Sequence, residues 1–287
     1  MLNACLLIVH GEESVAVEED IDQTDSEGDK AADLFEPLEF ESPEPTGPHH
    51  FAESFKDSSA LGKKWIVSKA KKDGVDENIA KYDGEWSIEL PNEVVLKNDF
   101  GLLLKSKARH HAISAKLTQP FRFKDEKPLI VQYDVKFQNG QDCGGAYIKL
   151  LSDAPDLSLN VFHDKTPYSI MFGPDKCGLT SKLHFILRFE NPVSGTIEEK
   201  HSKQPEKSSL DKLINDKQTH QYSFVLEPDG SYDLKIDQQT YFKGNLLETL
   251  EPALVPPKEI DDPNDKKPED WDDREKIPDQ EATKPED

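Results

Sequence analysis

The chain is poor in cysteine, in long apolar runs, in basic charge and in helical periodicity, and each scarcity removes a class of protein. Three cysteines in 287 residues, with no Cys-x-x-Cys pair, exclude a disulfide-dense scaffold and a dithiol redox motif. No run approaches the 18 or more apolar residues of a membrane-spanning helix. With 35 Lys+Arg against 57 Asp+Glu, the net charge of −22 argues against nucleic acid as a partner, because such binding is driven by basic side chains neutralising phosphate. Anionic membrane surfaces are disfavoured for the same reason. No nucleophile elbow or phosphate loop is present. The nine histidines show no zinc-ligand spacing, and the adjacent His110 and His111 point to opposite faces of an extended segment, which reads as structural.

The acidity that is present sits at the two ends. Residues 1–50 carry −13 and residues 251–287 carry −8, leaving −1 for the intervening 200 residues, enough chain for a sizeable core. Residues 1–11 include the apolar stretch Ala4-Cys5-Leu6-Leu7-Ile8-Val9, which resembles the end of a secretory signal peptide but lacks a basic n-region. It is either a remnant leader or an apolar start. Residues 12–50 are rich in Glu, Asp, Pro and Ser and cannot bury enough surface to offset ordering entropy, which predicts a disordered acidic leader. Ordered structure is expected from Phe51, where Phe55, Leu61, Trp65, Ile66 and Val67 arrive together.

The body, 51–257, reads as all-β. In Leu129–Phe137, Val131, Tyr133, Val135 and Phe137 alternate with Gln132, Asp134 and Lys136, which gives a strand with one buried and one wet face. The period recurs in Leu183–Phe189. A hairpin is predicted from Tyr222–Leu226 and Tyr232–Ile236 around Pro228-Asp229-Gly230. One short helix is expected over 209–216. About eight to twelve strands with little helix make a jelly-roll β-sandwich the expected architecture.

From 258 onward the chain is proline-rich and repeats at 17 residues: Ile260 to Asp270 is echoed by Ile277 to Asp287, each copy carrying Lys-Pro-Glu-Asp. Short units that cannot form a core alone indicate an extended arm. The array stops inside a copy, so the chain is expected to be a fragment of a longer protein.

Three motifs in order carry a family resemblance: Cys143-Gly144-Gly145-Ala146-Tyr147-Ile148-Lys149-Leu150-Leu151, then Ile170-Met171-Phe172-Gly173-Pro174-Asp175-Lys176-Cys177-Gly178, then the Lys-Pro-Glu-Asp-Trp repeat. Together they resemble the calnexin and calreticulin family of endoplasmic-reticulum lectin chaperones, from about Phe51 to the end. The resemblance implies a legume-lectin-like jelly roll interrupted by a proline-rich arm. It also implies a disulfide Cys143–Cys177, which the cysteine count alone leaves open between a bridge and two buried thiols. By motif match it implies sugar contacts at Tyr147, Lys149, Tyr168, Met171 and Glu199, with neighbouring Glu198 a rival carboxylate. It implies calcium as cofactor, with Ser54 and Asp99 among its oxygen ligands.

Local chemistry agrees in part. In an extended segment Tyr147 and Lys149 share a face with Ile148 and Leu150 behind, offering a flat ring and three donors to sugar oxygens on a wet surface. Tyr168 and Met171 are three apart, which a regular strand would place on opposite faces, so a bend or loop is expected between them. The function implied is reversible, calcium-dependent binding of monoglucosylated high-mannose N-glycans on incompletely folded glycoproteins in the endoplasmic-reticulum lumen, without enzymatic chemistry. A whole protein of this kind is expected to be a single-pass membrane protein that recruits a disulfide isomerase through its arm tip. The rivals are a polypeptide-binding holdase or calcium buffer without lectin activity, and a jelly-roll glycoside hydrolase. The hydrolase would need two carboxylates across a scissile bond, and Glu198 and Glu199 are sequence neighbours.

Overall fold

The computed structural model describes the backbone of residues 2–11, then residues 38–71, 81–205 and 208–255, with scattered residues between 259 and 281. The acidic leader up to position 37, and the second arm repeat apart from Glu281, lie outside the described residues. Internal contacts divide the chain into residues 1–254 and 255–287.

Two sheets dominate the larger unit. Its strands are β1 (Leu2–Gly11), β2 (Trp65–Val67), β3 (Trp86–Glu89), β4 (Gly101–Leu104), β5 (His111–Phe121), β6 (Leu129–Lys136), β7 (Cys143–Ser152), β8 (Tyr168–Cys177), β9 (Thr180–Glu190), β10 (Ile197–Ser202), β11 (Thr219–Leu226), β12 (Ser231–Ile236), β13 (Gln239–Asn245) and β14 (Leu250–Glu251). The eight-stranded sheet runs β14-β10-β9-β8-β7-β1-β5-β2, the four-stranded sheet runs β13-β12-β11-β6, and β3 pairs with β4. Every pairing within these sheets is antiparallel. The helix expected over 209–216 is α1 (Leu210–Asn215). No helix among the described residues is long and apolar enough to cross a membrane.

The alternation in β6 sets its side-chain directions: Val131, Tyr133 and Val135 pack on the core while Ile130 is exposed. The core between the sheets takes Ile148, Ile170, Phe172 and Phe185 from one layer and Tyr222, Phe224, Tyr232 and Leu234 from the other. Phe224 sits edge-on to Phe172 and to Phe185 at ring-centroid distances of 5.1 and 5.2 Å, and Phe185 stacks on Tyr232 at 4.8 Å. Fully burying one such ring stabilises by about 2–3 kcal/mol before entropy is counted. The Tyr232 hydroxyl is tied off by Ser202 and Thr249 at 2.9 and 2.8 Å, satisfying the polar tip of an otherwise apolar side chain.

The Pro-Asp-Gly hairpin forms with Leu226 opposite Tyr232, and Gly230 takes the left-handed conformation (φ +82°) that the turn requires. Cys143 and Cys177 stand directly opposite on β7 and β8 and are bonded. Closing a loop of 34 residues in sequence constrains the unfolded chain by roughly 3–4 kcal/mol.

Residues 2–11 are laid between β5 and β7, with Leu7 opposite Ile113 on one side and Ile148 on the other. An uncharged run such as Leu-Leu-Ile-Val suits a leader and a central strand alike, since both need continuous apolar character.

Among the described residues of 255–287 there is no helix or strand. The Trp271 amide donates to the Pro268 carbonyl at 3.1 Å, and Lys267 folds back to within 5.9 Å of the Trp271 ring and pairs with Asp273. Trp271 is exposed, as expected of a repeat that has no core of its own.

Candidate functional site

The motif residues converge on the face of the large sheet that turns away from the inter-sheet core. On β7, Ile148 and Leu150 join that core while Tyr147 and Leu151 pack on the other side with Tyr82, Phe162 and Tyr168. Strand β8 solves the parity problem posed by Tyr168 and Met171. Its register runs Met171 opposite Lys149, Ile170 opposite Leu150, then Tyr168 opposite Leu151, so one extra residue, Ser169, is accommodated on β8. Such a bulge flips the alternation by one, and Tyr168 and Met171 both pack in the cluster around Tyr147.

Pairing across four strands then fixes a row Lys149–Met171–Ile186–His201. Arg188 and Glu199 are direct partners on β9 and β10. Glu199 receives a hydrogen bond from the Tyr168 hydroxyl at 2.6 Å, whereas Glu198 pairs with the buried Lys200 at 2.5 Å. Adjacent residues on a strand point to opposite faces, so of the two carboxylates Glu199 belongs to the motif face.

The face is less wet than its sequence suggests. Tyr147, Lys149 and Tyr168 are only 8, 7 and 4% exposed, because the segments around Tyr82 and Phe162 fold over the end of the sheet. Glu199 and His201 remain exposed. Lys149 places its ammonium 4.6 Å from the centre of the Tyr168 ring and donates to the Asp164 carbonyl at 3.3 Å. Burial drives its pKa down, opposed by the charges of Glu199 and Asp164 and reinforced by Arg188. Arg188 lies 5.5 Å from the same ring. Burial, then the bond to Glu199, raises the Tyr168 phenol, and burial with the Asp175 carboxylate does the same for Tyr147, whose hydroxyl donates to Asp175. Tyr82, pushed up to about 12 chiefly by burial, receives the Asp164 backbone amide at 2.8 Å and so holds the covering loop.

Two glycines of the motifs are spatial requirements. A Cβ on Gly145 would stand 2.3 Å from Cζ and Oη of Tyr147, so the ring lies down over this residue. At Gly173 a Cβ would meet the Ala146 carbonyl at 2.2 Å and the Tyr133 hydroxyl at 2.4 Å, where Tyr133 donates to Ala146 from one sheet to the other. Beside the row, a cleft of about 580 Å³ is lined by Lys182, His184, Ile186, His201, Lys203 and Glu251 among others. Its Ile186 and His201 continue the row outward.

Side chains of this kind can hold a ligand without transforming it. Two rings and a thioether offer apolar contact, the buried ammonium offers donors, and Glu199 offers an acceptor at the rim. Two carboxylates on the face, Glu199 and Asp175, are engaged by tyrosine hydroxyls, charge-assisted bonds that typically contribute about 1.5–3 kcal/mol.

The residues assigned to calcium stand elsewhere. Ser54 follows Glu53, whose carboxylate takes the amides of Ser54 and Phe55, the Trp65 indole and Lys64. Asp99 lies in the turn before β4 and acts electrostatically on Asp134, helping to raise it after burial and Asp237. Among the described residues no group of three or more His, Cys, Asp or Glu is placed to hold a metal. Calcium takes six to eight oxygens, so Ser54 and Asp99 do not make a site by themselves. His111, read as structural, is buried against Trp86 with ring centroids 5.3 Å apart.

Arg188, His184, Asp175 and Asp164 were not singled out by motif. The alternation in β9 carries a signal for the first two: Leu183 and Phe185 take the core, which assigns His184, Ile186 and Arg188 to the opposite side.

An antiparallel sandwich with little helix, bearing aromatic, cationic and carboxylate side chains on its larger sheet, is a legume-lectin-like β-sandwich. Comparison with known proteins narrows this: the calreticulin family matches residues 51–287, and the chain belongs to that family. Calmegin of Homo sapiens is 53% identical over 261 residues, covering 91% of this chain and 42% of calmegin. Calnexin of Caenorhabditis briggsae is 48% identical over 275 residues, covering 95% and 44%. A solved T. cruzi calreticulin globular domain superposes with a TM-score of 0.57 at 29% identity, covering 77% of this chain and 74% of that one. The chain thus spans less than half the length of the curated relatives it matches.

Proposed function

We propose that this chain is the glycan-binding part of a lectin chaperone that holds monoglucosylated high-mannose N-glycans on incompletely folded glycoproteins. The family is one of chaperones and not of enzymes, and its calnexin and calmegin members are endoplasmic-reticulum proteins. The observation that carries the reading is the gathering of Tyr147, Lys149, Tyr168, Met171 and Glu199 on one sheet face, achieved only through the bulge at Ser169.

In this reading the apolar side of a terminal glucose packs on Met171 and the tyrosine rings. Lys149 donates to sugar oxygens, and Glu199, steadied by Tyr168, accepts from a hydroxyl. No bond is made or broken, so occupancy is set by addition and removal of the glucose elsewhere. The disulfide beside the face suits an oxidising lumen. Non-native polypeptide is the second partner proposed, and the arm of the whole protein is proposed to recruit a disulfide isomerase. Calcium is the cation proposed from the family resemblance.

Calorimetric titration of the chain with a monoglucosylated oligosaccharide tests the reading. Saturable heat supports it. No heat, together with capture of an unglycosylated unfolded polypeptide, would transfer the function to polypeptide binding.

A further inference from the structure

We infer that Arg188 is a positioning residue of the glycan-binding face, holding the Tyr168 ring and the Glu199 carboxylate in the arrangement a sugar meets; the inference rests on the lectin reading above. Three relations carry it. Arg188 and Glu199 are register partners on neighbouring strands, so their side chains emerge side by side. The guanidinium lies 5.5 Å from the centre of the Tyr168 ring, within cation–π reach. The hydroxyl of that same ring donates to Glu199 at 2.6 Å. Arg188 therefore faces the ring of this hydrogen-bonded unit and emerges beside its carboxylate member.

The physical need for such a residue follows from the charges around Tyr168. Lys149 already lies 4.6 Å from the ring and needs its ammonium free to meet sugar oxygens rather than to anchor a phenol. A planar guanidinium stacks on an aromatic face and balances a carboxylate at once, which a lysine on a flexible stem does not do. Arg188 is half-buried, so its contact with the ring is partly screened from water. Its field also reaches Lys149, whose surroundings include Glu199, Asp164 and Arg188. Arg188 acts on the ligand through Tyr168 and Glu199 and is assigned no direct contact.

The test uses the chain with Arg188→Met, which keeps an apolar stem over the ring, and Arg188→Lys, which keeps the charge. Monoglucosylated oligosaccharide is titrated into each by calorimetry. The ring resonances of Tyr168 and the pH titration of Lys149 are followed by NMR without ligand. The expected result is about tenfold weaker binding in Arg188→Met and incomplete rescue by Arg188→Lys. The thermal melts should be unchanged, the Tyr168 ring resonances shifted, and the Lys149 midpoint raised by loss of a like charge. Binding by Arg188→Met equal to that of the unsubstituted chain would overturn the inference. If the unsubstituted chain itself gives no heat, the lectin reading fails, and the inference is judged on the NMR readings: unmoved Tyr168 and Lys149 resonances overturn it, and shifts in both uphold the positioning contact.

Discussion

Tyr168 and Met171 lie three residues apart on one strand and yet pack in the same side-chain cluster, because β8 accommodates Ser169 as an extra residue opposite β7. The bulge converts an odd spacing into a shared face. Without it the Tyr168 hydroxyl would enter the inter-sheet core and Glu199 would lose its partner.

Deleting Ser169 therefore has a specific expected outcome. The strand continues in regular register with Tyr168 still opposite Leu151 and two residues from Met171, so Tyr168 stays on the motif face, keeps its bond to Glu199, and monoglucosylated oligosaccharide still binds. The phenol hydroxyl keeps its partner, so the cost of about 2 kcal/mol or more for burying it unpaired is not incurred. Calorimetry and urea unfolding measure the two effects, and lost binding in a deletion that folds with unchanged stability would refute the role given to the bulge.

Lys149 illustrates a site kept at some cost to the fold. The residue is 7% exposed and its pKa is lowered by burial, so the charged form is disfavoured relative to a solvated lysine. Lys149→Met should leave stability unchanged or raise it by about 1–2 kcal/mol, since replacing a poorly solvated buried charge by a matched apolar chain is often neutral or favourable. The same substitution should abolish glycan binding. Urea midpoints set beside calorimetric titrations provide the check, and destabilisation with intact binding would reverse the assignment.

A pH dependence is expected far from this face. His220 on β11 contacts Asp237 through Nδ1 at 2.6 Å and Asp216 through Nε2 at 3.0 Å. Carboxylates only accept, so both ring nitrogens donate and the ring is an imidazolium. Burial alone would lower its pKa, but the bonds to Asp237 and Asp216 outweigh this and raise it. Asp216 is itself lowered, its backbone and His220 bonds outweighing burial, while Asp134 is raised by burial and then by Asp237. A raised histidine pKa contributes stability that is fully present below the unfolded value and is lost as pH rises through the folded one. Urea unfolding between pH 6 and 9 should show a loss of order 1 kcal/mol that is absent in His220→Gln. Equal slopes in the two proteins would contradict it.

The sandwich was legible because its strands have one buried face. Val131, Tyr133 and Val135 announce β6, and the Pro-Asp-Gly turn announces the β11–β12 hairpin. Covering of the face was not legible: Tyr147 and Lys149 alternate like a solvated strand, and only the long-range packing of Tyr82 and Phe162 buries them. Local spacing showed that Tyr168 and Met171 needed a bend and could not say which residue supplied it. Arg188 was visible in the β9 alternation, but its meeting with Tyr168 depends on strand order, which no short window of sequence contains.

The most direct measurement is calorimetric titration of the 287-residue chain with a high-mannose oligosaccharide carrying one terminal glucose and with the same oligosaccharide lacking it. The account predicts saturable one-site heat for the glucosylated ligand, little for the other, and loss of the signal on Lys149→Met. Equal heats for the two ligands, or none for either, would contradict it.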